Sequence, residues 1–389
     1  MKSWADRGRI LVSHAGNLPG EDESLSAAEI VRDVVERQIA CGVDIVNDGE
    51  HGKRRAGGYS GYIHERVAGW EMLPLGPDRP RKRDGVGARD RRDFPGVFAS
   101  GLWMSGSGGP VRPGFATPGE PSESGEVRVC TGPVRYTGHA AIADDIRTLQ
   151  ETIAGRDVRG FVAALGPLSL GAGARNEHYG SEEEYLAAVA EVVREEYRAI
   201  AAAGLVVQVD EPEFATSWMF YPDWSVADYR RYLELCVEVI NHALEGVPEE
   251  LVRFHVCWGS GHRPHMNDIE LRHIADLLVK IRAHVYSIEA GNVRHAHEWR
   301  VWRDVDLPDD RVLMPGVISH ATDLVEHPEL IAERLCNYAS VVGQERVQAG
   351  SDCGMGSRVG HPEIAWAKLR AAADGARLAT ERLTAAGAG

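Results

Sequence analysis

Cysteine is scarce in this sequence, with six residues in a chain of 389, and these six are too widely spaced to form a disulfide framework. Long apolar runs are missing as well, because no window approaches the length of a transmembrane helix. The first residues, Met-Lys-Ser-Trp-Ala-Asp-Arg, lack the apolar core of a signal peptide. We therefore expect a cytoplasmic protein with reduced thiols, in which an unusually placed cysteine is a candidate for metal binding or catalysis.

Positive charge is also in short supply. The 43 Lys and Arg residues face 58 Asp and Glu residues, which leaves a net charge of −15. This balance argues against nucleic acid and anionic membrane surfaces as partners. The apolar fraction of 43% and the charged fraction of 26% are those of an ordinary globular protein with a full core. The composition leaves a homo-oligomer open.

Short apolar runs that end in small or polar residues recur eight times along the chain. Runs of this kind are typical of parallel strands buried on both faces, and stretches with helical periodicity lie between them. This alternation predicts an α/β fold, a (β/α)8 TIM barrel. A doubly wound open sheet is the alternative, but no Gly-x-Gly-x-x-Gly follows the first run. The predicted strands are residues 9–16, 43–50, 161–168, 205–212, 252–259, 283–290, 311–319 and 346–354.

Six stretches between these runs have the spacing of amphipathic helices. Residues 24–40 open on Ser24 as a plausible N-cap, with an apolar face behind it. Residues 181–203 begin Ser-Glu-Glu-Glu, a capping-box pattern, and Gly204 is expected to end that helix. The other predicted helices are residues 225–244, 268–282, 328–342 and 362–383.

One long segment, residues 51–138, interrupts the alternation. It has little helical periodicity and is dense in Gly, Pro and Arg, although aromatic residues such as Tyr62 and Trp70 indicate that parts of it pack. A loop of this size inside a compact domain is usually functional or partly disordered. We interpret residues 1–389 as a single barrel domain in which this segment is an insertion after strand two. It is either a lid over the barrel mouth or a surface subdomain that contacts another copy.

The carboxyl ends of barrel strands meet at the catalytic mouth, so the polar residues at these ends belong to one set. His255 and Cys257 lie two apart on strand five and therefore point to the same face. Cys353 ends strand eight and Glu289 ends strand six, which makes a His/Cys/Cys set with an oxygen donor and favours zinc. Two thiolates would make zinc poor at activating water and suited to binding a third thiolate. The alternative is that Cys257 is a small buried hydrophobe and His255 a satisfied structural residue.

Further polar residues complete the predicted mouth. His14 and Asn17 follow strand one, Glu50 ends strand two, Asp210 ends strand four and His320 follows strand seven. Either histidine could protonate a leaving group because the pKa of histidine lies near neutrality, and the alternative for each is a structural hydrogen bond. The remaining cysteines lie in helices, before strand two or in the insertion, and we expect them only to pack: Cys41, Cys130, Cys236 and Cys336.

These residues together resemble the catalytic C-terminal half of cobalamin-independent methionine synthase. The resemblance implies a (β/α)8 barrel that binds zinc through His255, Cys257, Glu289 and Cys353. It also implies a substrate pocket with Asn17, Glu50, Asp210 and Glu289, in which Glu50 and Asp210 match the acids that hold the amino group of homocysteine. The matching motifs are His14-Ala15-Gly16-Asn17-Leu18-Pro19, Asp48-Gly49-Glu50, Val209-Asp210-Glu211-Pro212, His255-x-Cys257, Pro315-Gly316-Val317, Glu326-x-Pro328-Glu329-x-Ile331 and Asp352-Cys353-Gly354.

The activity that the resemblance implies is transfer of an alkyl group, by default methyl, to a thiol held as thiolate on zinc. Homocysteine and methyl-folate are the default pair, while the coenzyme M–epoxide transferases of the same superfamily use another electrophile. The expected catalytic residues are His14, Glu50, Asp210 and His320. The chain departs from the family at Asn17, where a serine is usual. It departs again at Ser319-His320-Ala321, where the family has an Asp-x-His pair tied to folate-dependent transfer.

Two other functions remain as alternatives. The same zinc could support C–S bond cleavage or elimination on a thiol or thioether, with Glu50, Asp210 or Glu289 as the base, which would make the protein a lyase. An inactive relative of the decarboxylase branch of the superfamily is the third reading, and the zinc ligands argue against it because that branch needs no metal.

Overall fold

The computed structural model describes residues 8–20, 24–54, 58–80, 82–100, 125–259, 261, 263–356 and 358–387. These residues contain two sheets, one of eight strands and one of three. In chain order the strands are β1 (Leu11–Val12), β2 (Ile45–Val46), β3 (Val67–Pro74), β4 (Glu126–Tyr136), β5 (Arg159–Leu165), β6 (Arg175–Asn176), β7 (Val206–Asp210), β8 (Val252–Val256), β9 (Val285–Ile288), β10 (Val312–Ile318) and β11 (Gln348–Ser351).

The eight-stranded sheet is a nearly closed parallel barrel. Its strand order is β1-β11-β10-β9-β8-β7-β5-β2, and each neighbouring pair is parallel. The backbone N–H of Asp44, just before β2, donates to the carbonyl of Val12 in β1 at 2.9 Å and links the two ends. The predicted (β/α)8 fold is confirmed and the open doubly wound sheet is excluded. An apolar cluster fills part of the interior: Leu11, Ile45, Phe161, Ala163 and Val206.

Helices surround the barrel and follow most of its strands. The long helices bury one apolar face against the sheet, and several of them begin at side-chain caps, as Ser181 does for α8 by accepting a hydrogen bond from the Glu184 N–H. The helices are α1 (Ala27–Ala40), α2 (His51–Arg54), α3 (Gly58–Glu65), α4 (Ala88–Asp93), α5 (Pro95–Ala99), α6 (His139–Ile153), α7 (Pro167–Gly171), α8 (Glu182–Ala202), α9 (Glu213–Phe220), α10 (Val226–Ala243), α11 (Ala275–Leu278), α12 (Pro328–Val342) and α13 (Pro362–Gly387).

Three details of the helix prediction were wrong. The N-cap of α1 is Ser26, which forms a capping box with Glu29, and not Ser24. The predicted helix 268–282 is broken into a 3₁₀ turn at Leu271–His273 and the short α11. Helix α6, directly after the predicted insertion, was not among the predicted helices. The prediction that Gly204 ends α8 was correct. Gly204 follows the C-cap residue Ala203 and adopts φ +73°, a left-handed conformation that does not continue the helix.

The segment 51–138 contains more regular structure than the sequence predicts. Strands β3 and β4 pair antiparallel, and β6 joins β4 in parallel, which forms the three-stranded sheet. A buried carboxylate connects this segment to the barrel helices, since Glu196 of α8 accepts hydrogen bonds from the hydroxyls of Tyr62 and Tyr136 and pairs with Arg66. Residues 101–124 lie outside the described residues. The lid or subdomain role, and the division into one domain with one insertion, stay predictions.

No helix in the described ranges is both long and apolar enough to cross a membrane.

Candidate metal and thiol site

Three side chains with soft or borderline donor atoms converge at the carboxyl end of the barrel. His255 lies in β8, Cys257 directly follows that strand, and Cys353 lies in the turn after β11. One ligand atom from each residue lies within 4.8 Å of the others, and this is the one such His/Cys/Asp/Glu group in the described part of the chain. Nitrogen and sulfur donors that close together fit a tetrahedral metal such as zinc.

The ring of His255 is oriented by the neighbouring strand. Its Nδ1 lies 2.9 Å from Oγ of Ser287, the residue opposite it on β9. Its Nε2 is buried and has no hydrogen-bond partner among the described residues. When Nδ1–H donates to the serine, Nε2 carries the lone pair that a metal needs. This buried nitrogen without a hydrogen-bond partner is the observation that supports metal binding by the three side chains.

The two thiols interact directly. A hydrogen bond from Cys257 lowers the pKa of Cys353 well below its usual value, and His255 adds to this effect. The same contact with Cys353, together with burial, raises the pKa of Cys257 well above its usual value. One thiolate is thus favoured before any cation binds, and a bound cation would favour deprotonation of the second.

Two acids lie beside the thiols, and their surroundings differ. Asp352 accepts hydrogen bonds from the backbone N–H groups of Ala290 and Gly291 at 2.8 and 2.7 Å and one from Asn292 at 3.2 Å. Glu289 accepts one bond at 3.2 Å, from Asn292, while its Oε1 is buried without a hydrogen-bond partner in the described residues. Burial raises the pKa of Glu289 well above its usual value. Glu289 therefore has an oxygen available to bind a metal, whereas the oxygens of Asp352 accept hydrogen bonds from the turn after β9.

Glu50 ends the second barrel strand in a conformation that L-residues rarely adopt. Its φ is +63°, and a methyl group at Gly16 would collide with its Oε1. Only 3% of Glu50 is exposed, and its Oε2 is buried with no hydrogen-bond partner in the described ranges. Burial raises the pKa of Glu50 to about 7; the nearby charge of Lys53 opposes this rise, and the carboxyl of Asp210 adds to it. Strained backbone held by its surroundings is common at functional sites.

Asp210, at the end of β7, is the second buried acid of the pocket. Its Oδ1 accepts a hydrogen bond from Nε2 of Gln208 at 2.7 Å, and that amide also donates to the carbonyl of Ala15. Burial raises the pKa of Asp210 to about 6, while His255 opposes this rise. Two buried carboxyls with raised pKa values and an unpartnered oxygen form a site that a cation would stabilise.

Asn17 links the turn after β1 to the turn that carries Cys353. Its carbonyl accepts hydrogen bonds from the N–H groups of Met355 and Gly356 at 2.8 and 3.0 Å. A Cβ at Gly354 would lie 2.6 Å from the Cβ of Asn17, so only glycine fits there. Oδ1 of Asn17 is buried and lacks a hydrogen-bond partner among the residues described. This side chain is thus half-buried at the pocket with one acceptor available.

The two predicted acid histidines occupy different environments. Nε2 of His14 lies 2.8 Å from Oε1 of Gln38, and its Nδ1 accepts the N–H of Gly16 at 3.2 Å, so both nitrogens are engaged. Burial lowers the pKa of His14 to about 3. Nδ1 of His320 is buried without a hydrogen-bond partner in the described chain. Burial lowers the pKa of His320, and the nearby charge of Cys353 opposes this effect. This geometry favours His320 over His14 for proton transfer.

Three residues near the site were not predicted from the sequence. Ser287 could have been found, because it precedes Glu289 by two and so shares its face of β9. Lys53 lies on α2 with 3% exposure, and its Nζ donates to the carbonyl of Ala163. Burial lowers the pKa of Arg358, and the nearby charges of Cys353 and Cys257 oppose this effect. No spacing rule points to Lys53 or Arg358, because each reaches the site from a loop or a short helix.

Comparison with known proteins decides the family. Residues 122–378 match the model of the family described as Cobalamin-independent synthase, Catalytic domain. The chain belongs to this family. The predicted resemblance is confirmed, and with it the assignment to a family of enzymes that includes methionine synthases.

Curated relatives are distant and match in part. A methionine synthase from Thermococcus kodakarensis is 25% identical over 246 residues, which are 58% of this chain and 63% of the relative. A methionine synthase from Sulfurisphaera tokodaii is 23% identical over 225 residues, 57% of each chain. A 2-hydroxypropyl-CoM lyase from Xanthobacter autotrophicus is 25% identical over 283 residues, 66% of this chain and 70% of the relative. The chain thus matches less than two thirds of the two methionine synthases.

A solved structure covers nearly the whole chain. The B12-independent methionine synthase from a Shewanella species, in complex with selenomethionine, superposes with a TM-score of 0.68 at 22% identity. The superposition covers 97% of this chain and 99% of that one. At this identity the likeness is one of fold, and it agrees with the barrel described above.

Proposed function

We propose that this protein is a zinc-dependent transferase that passes an alkyl group, by default methyl, to the sulfur of an amino thiol such as homocysteine. The observation that supports this most strongly is the convergence of His255, Cys257 and Cys353 within 4.8 Å beside the free oxygen of Glu289. Zinc held there would lower the pKa of a substrate thiol and keep it as a nucleophilic thiolate.

The chain's own residues would prepare the metal site. Ser287 holds the His255 ring so that Nε2 faces the thiols, and the interaction between Cys257 and Cys353 already favours one thiolate. Glu289 would supply the fourth donor through Oε1. A single hydrogen bond from Asn292 restrains its other oxygen, so the carboxyl group of Glu289 would be able to move without disturbing the turn.

The remaining pocket residues would orient the thiol and move protons. Glu50 and Asp210 would bind the ammonium group, which would favour the ionised form of both carboxyls. Asn17 Oδ1 would accept a hydrogen bond from the substrate's polar end. His320, whose Nδ1 is available in the described structure, would protonate the leaving group of the alkyl donor. His14 is engaged through both nitrogens, and we leave it out of the proton transfer.

The alkyl donor separates this proposal from a second candidate. The relatives named methionine synthase support a methyl donor, with methyl-folate as the default. The relative named 2-hydroxypropyl-CoM lyase, matched over a longer stretch, supports a lyase that cleaves or forms a C–S bond on the same scaffold. The buried acids Glu50 and Asp210 favour a thiol with a cationic group over one whose tail is only anionic, and so favour the first candidate.

The proposed function can be tested by zinc content and turnover. Wild type, His255→Ala, Cys353→Ser and the control Cys336→Ser are purified, and zinc per chain is measured. We expect about one zinc in the wild type and in the control and little in the other two; stoichiometric zinc in both site variants contradicts the assignment. Zinc-loaded enzyme is then given homocysteine alone, homocysteine with 5-methyltetrahydrofolate, and a thioether alone. Methionine formed only with the methyl donor supports transfer, and consumption of the thioether alone supports the lyase.

A further inference from the structure

We propose that Asp90, on helix α4 of the segment 51–138, is a positioning residue for the metal site: it holds in place the turn that follows Cys257. The inference rests on the proposed function, because it concerns the site at which that function places zinc. It goes beyond that function by making part of the segment 51–138 a fixed support of the metal site. It predicts that zinc leaves the protein faster when Asp90 is replaced, although Asp90 itself is not a ligand.

The turn after β8 begins at the residue next to Cys257 and is anchored there. The indole N–H of Trp258 donates to the carbonyl of Ile269 at 2.7 Å, and the carbonyl of Trp258 accepts a hydrogen bond from Nη2 of Arg263. Trp258 is 1% exposed, so water cannot easily replace either partner. The backbone beside the ligand is therefore held by Arg263. In the described chain this turn consists of residues 258, 259, 261 and 263–269.

Arg263 is buried between two carboxyl groups, and one of them is that of Asp90. Nη1 of Arg263 lies 3.3 Å from Oδ1 of Asp268 and 3.6 Å from Oδ2 of Asp90. The side chains of Arg263 and Asp90 are each 2% exposed, and an arginine is seldom so deeply buried unless it is paired. Asp268 is shared with other groups, since its Oδ2 also lies 2.6 Å from Nδ1 of His265 and 3.4 Å from Nε2 of His295. Asp90 is thus the second negative charge that this arginine needs, and it comes from outside the turn.

Asp90 also holds the far end of the turn. Its Oδ1 accepts hydrogen bonds from the backbone N–H of Asn267 at 3.0 Å and from the side-chain amide of Asn267 at 3.2 Å. The same amide donates to Oδ2 of Asp93, the last residue of α4, at 2.8 Å. One buried carboxyl group therefore contacts the turn at Arg263 and at Asn267, and its removal would release both places together.

Helix α4 can serve as a support because it is itself fixed to the barrel. The guanidinium of Arg89 donates to the carbonyls of Trp218, Tyr221 and Trp224 at 2.7, 2.7 and 2.8 Å. The indole of Trp218 in turn donates to the carbonyl of Asn267 at 2.9 Å, so the turn keeps one contact when Asp90 is replaced. The neighbouring apolar cluster joins the segment 51–138 to α9 and the residue after it through Val86, Val97, Phe98, Met219, Phe220 and Tyr221.

The alternative is that Asp90 only attaches the segment 51–138 to the barrel, and Arg83 separates the two roles. Nη1 of Arg83 pairs with Oε2 of Glu213 on α9 at 2.6 Å, and the two side chains are 10% and 9% exposed. This is also a buried ion pair between that segment and the barrel, but it shares no printed hydrogen bond with the turn after β8 in the described chain. Arg83→Gln is therefore the matched control for Asp90→Ala.

The experiment measures how fast zinc leaves the protein. Wild type, Asp90→Ala, Asp90→Asn and Arg83→Gln are loaded with zinc, and its transfer to an excess of a coloured chelator is followed. We expect zinc loss to be about tenfold faster in Asp90→Ala, the lower end of what loss of an outer partner costs in metal affinity, because Trp218 still contacts the turn. Asp90→Asn keeps an oxygen for the Asn267 N–H and should lie between Asp90→Ala and the wild type. Arg83→Gln should change the rate by less than about twofold.

Cobalt(II) in place of zinc gives a readout of the geometry at the metal. Its visible ligand-field bands should shift or broaden in Asp90→Ala and stay as in the wild type in Arg83→Gln. A general loosening of the segment 51–138 would change the two variants alike. Unchanged bands together with an unchanged rate of zinc loss in Asp90→Ala overturn the inference, and so does an equal rise of the rate in Arg83→Gln; in both cases the proposed function stands.

Two further outcomes complete the test. If the wild type binds no zinc, the proposed function fails, and the inference fails with it. If Asp90→Ala is poorly folded, Asn267→Ala takes its place, because it removes the amide that donates to Asp90 without leaving a buried arginine short of a carboxylate. We expect Asn267→Ala to speed zinc loss by about threefold, the effect of one hydrogen bond, and a rate equal to that of the wild type contradicts the role of Asp90.

Discussion

The hydroxyl of Ser287 should contribute to metal affinity by orienting His255, although it is not among the proposed ligands. Ser287→Ala removes the group that lies 2.9 Å from Nδ1 of His255 and leaves that nitrogen buried. Ser287 is 0% exposed and His255 3%, so water cannot easily replace the lost partner. Removing the partner of a ligating histidine typically lowers metal affinity about 10–100-fold, or about 1.4–2.7 kcal/mol. Because both side chains are buried, we expect the loss of metal affinity to lie near the upper end of this range.

The measurement is a zinc dissociation constant from competition with a chelator of known affinity. Ser287→Thr keeps a hydroxyl and should retain most of the affinity, while Ser340→Ala, at an exposed position on α12, serves as the matched control. A zinc affinity of Ser287→Ala within about twofold of wild type would refute the reasoning, because His255 would then be oriented by something else. An equal loss in Ser340→Ala would point to a global effect.

Three other outcomes are expected. Cys353→Ser should lose stoichiometric zinc whereas Cys336→Ser keeps it, as metal analysis can show. The affinity for homocysteine relative to 4-mercaptobutanoate, the same chain without the amine, should increase as pH rises through about 7, where the buried carboxyl of Glu50 ionises and attracts an ammonium; loss of the thiol proton affects both thiols alike, and a ratio that does not change with pH contradicts the prediction. Lys368→Met should cost about 3 kcal/mol of unfolding free energy, because it leaves the carboxylate of Glu326 without its ion pair at 2.9 Å, and urea unfolding with a loss below about 1 kcal/mol would contradict that.

The barrel was predictable because each of its strands can be recognised from its own residues. A parallel strand buried on both faces is apolar throughout, and eight such runs in one chain leave few architectures. The hairpin of β3 and β4 carries no such signal, because its strands are partly exposed and its partner β6 lies some forty residues away in the chain. The prediction of a continuous helix over residues 268–282 was wrong for a related reason. Apolar residues at helical spacing are also compatible with a 3₁₀ turn followed by the short helix α11.

The candidate site was predictable where two residues share a strand and unpredictable where tertiary packing decides. His255 and Cys257 follow from the two-residue period of a strand, and Cys353 from the rule that strand ends meet. The engagement of His14 with Gln38 depends on how α1 packs against β1, which no local pattern encodes. Lys53 reaches the pocket from a four-residue helix, and nothing in its neighbourhood in the sequence indicates that it is buried.

The choice between the two acids beside the thiols shows what geometry adds to a motif. In the sequence, Asp352 adjoins Cys353, whereas Glu289, the predicted ligand, lies more than sixty residues away. In the structure, both oxygens of Asp352 accept hydrogen bonds from the turn after β9, and a methyl group at Gly316 would collide with one of them. Ligation by Asp352 would break that turn, which also carries Glu289. Oε1 of Glu289 accepts no hydrogen bond from the described residues. Binding of a metal by this oxygen would therefore break no existing hydrogen bond, which makes Glu289 the better candidate ligand of the two acids.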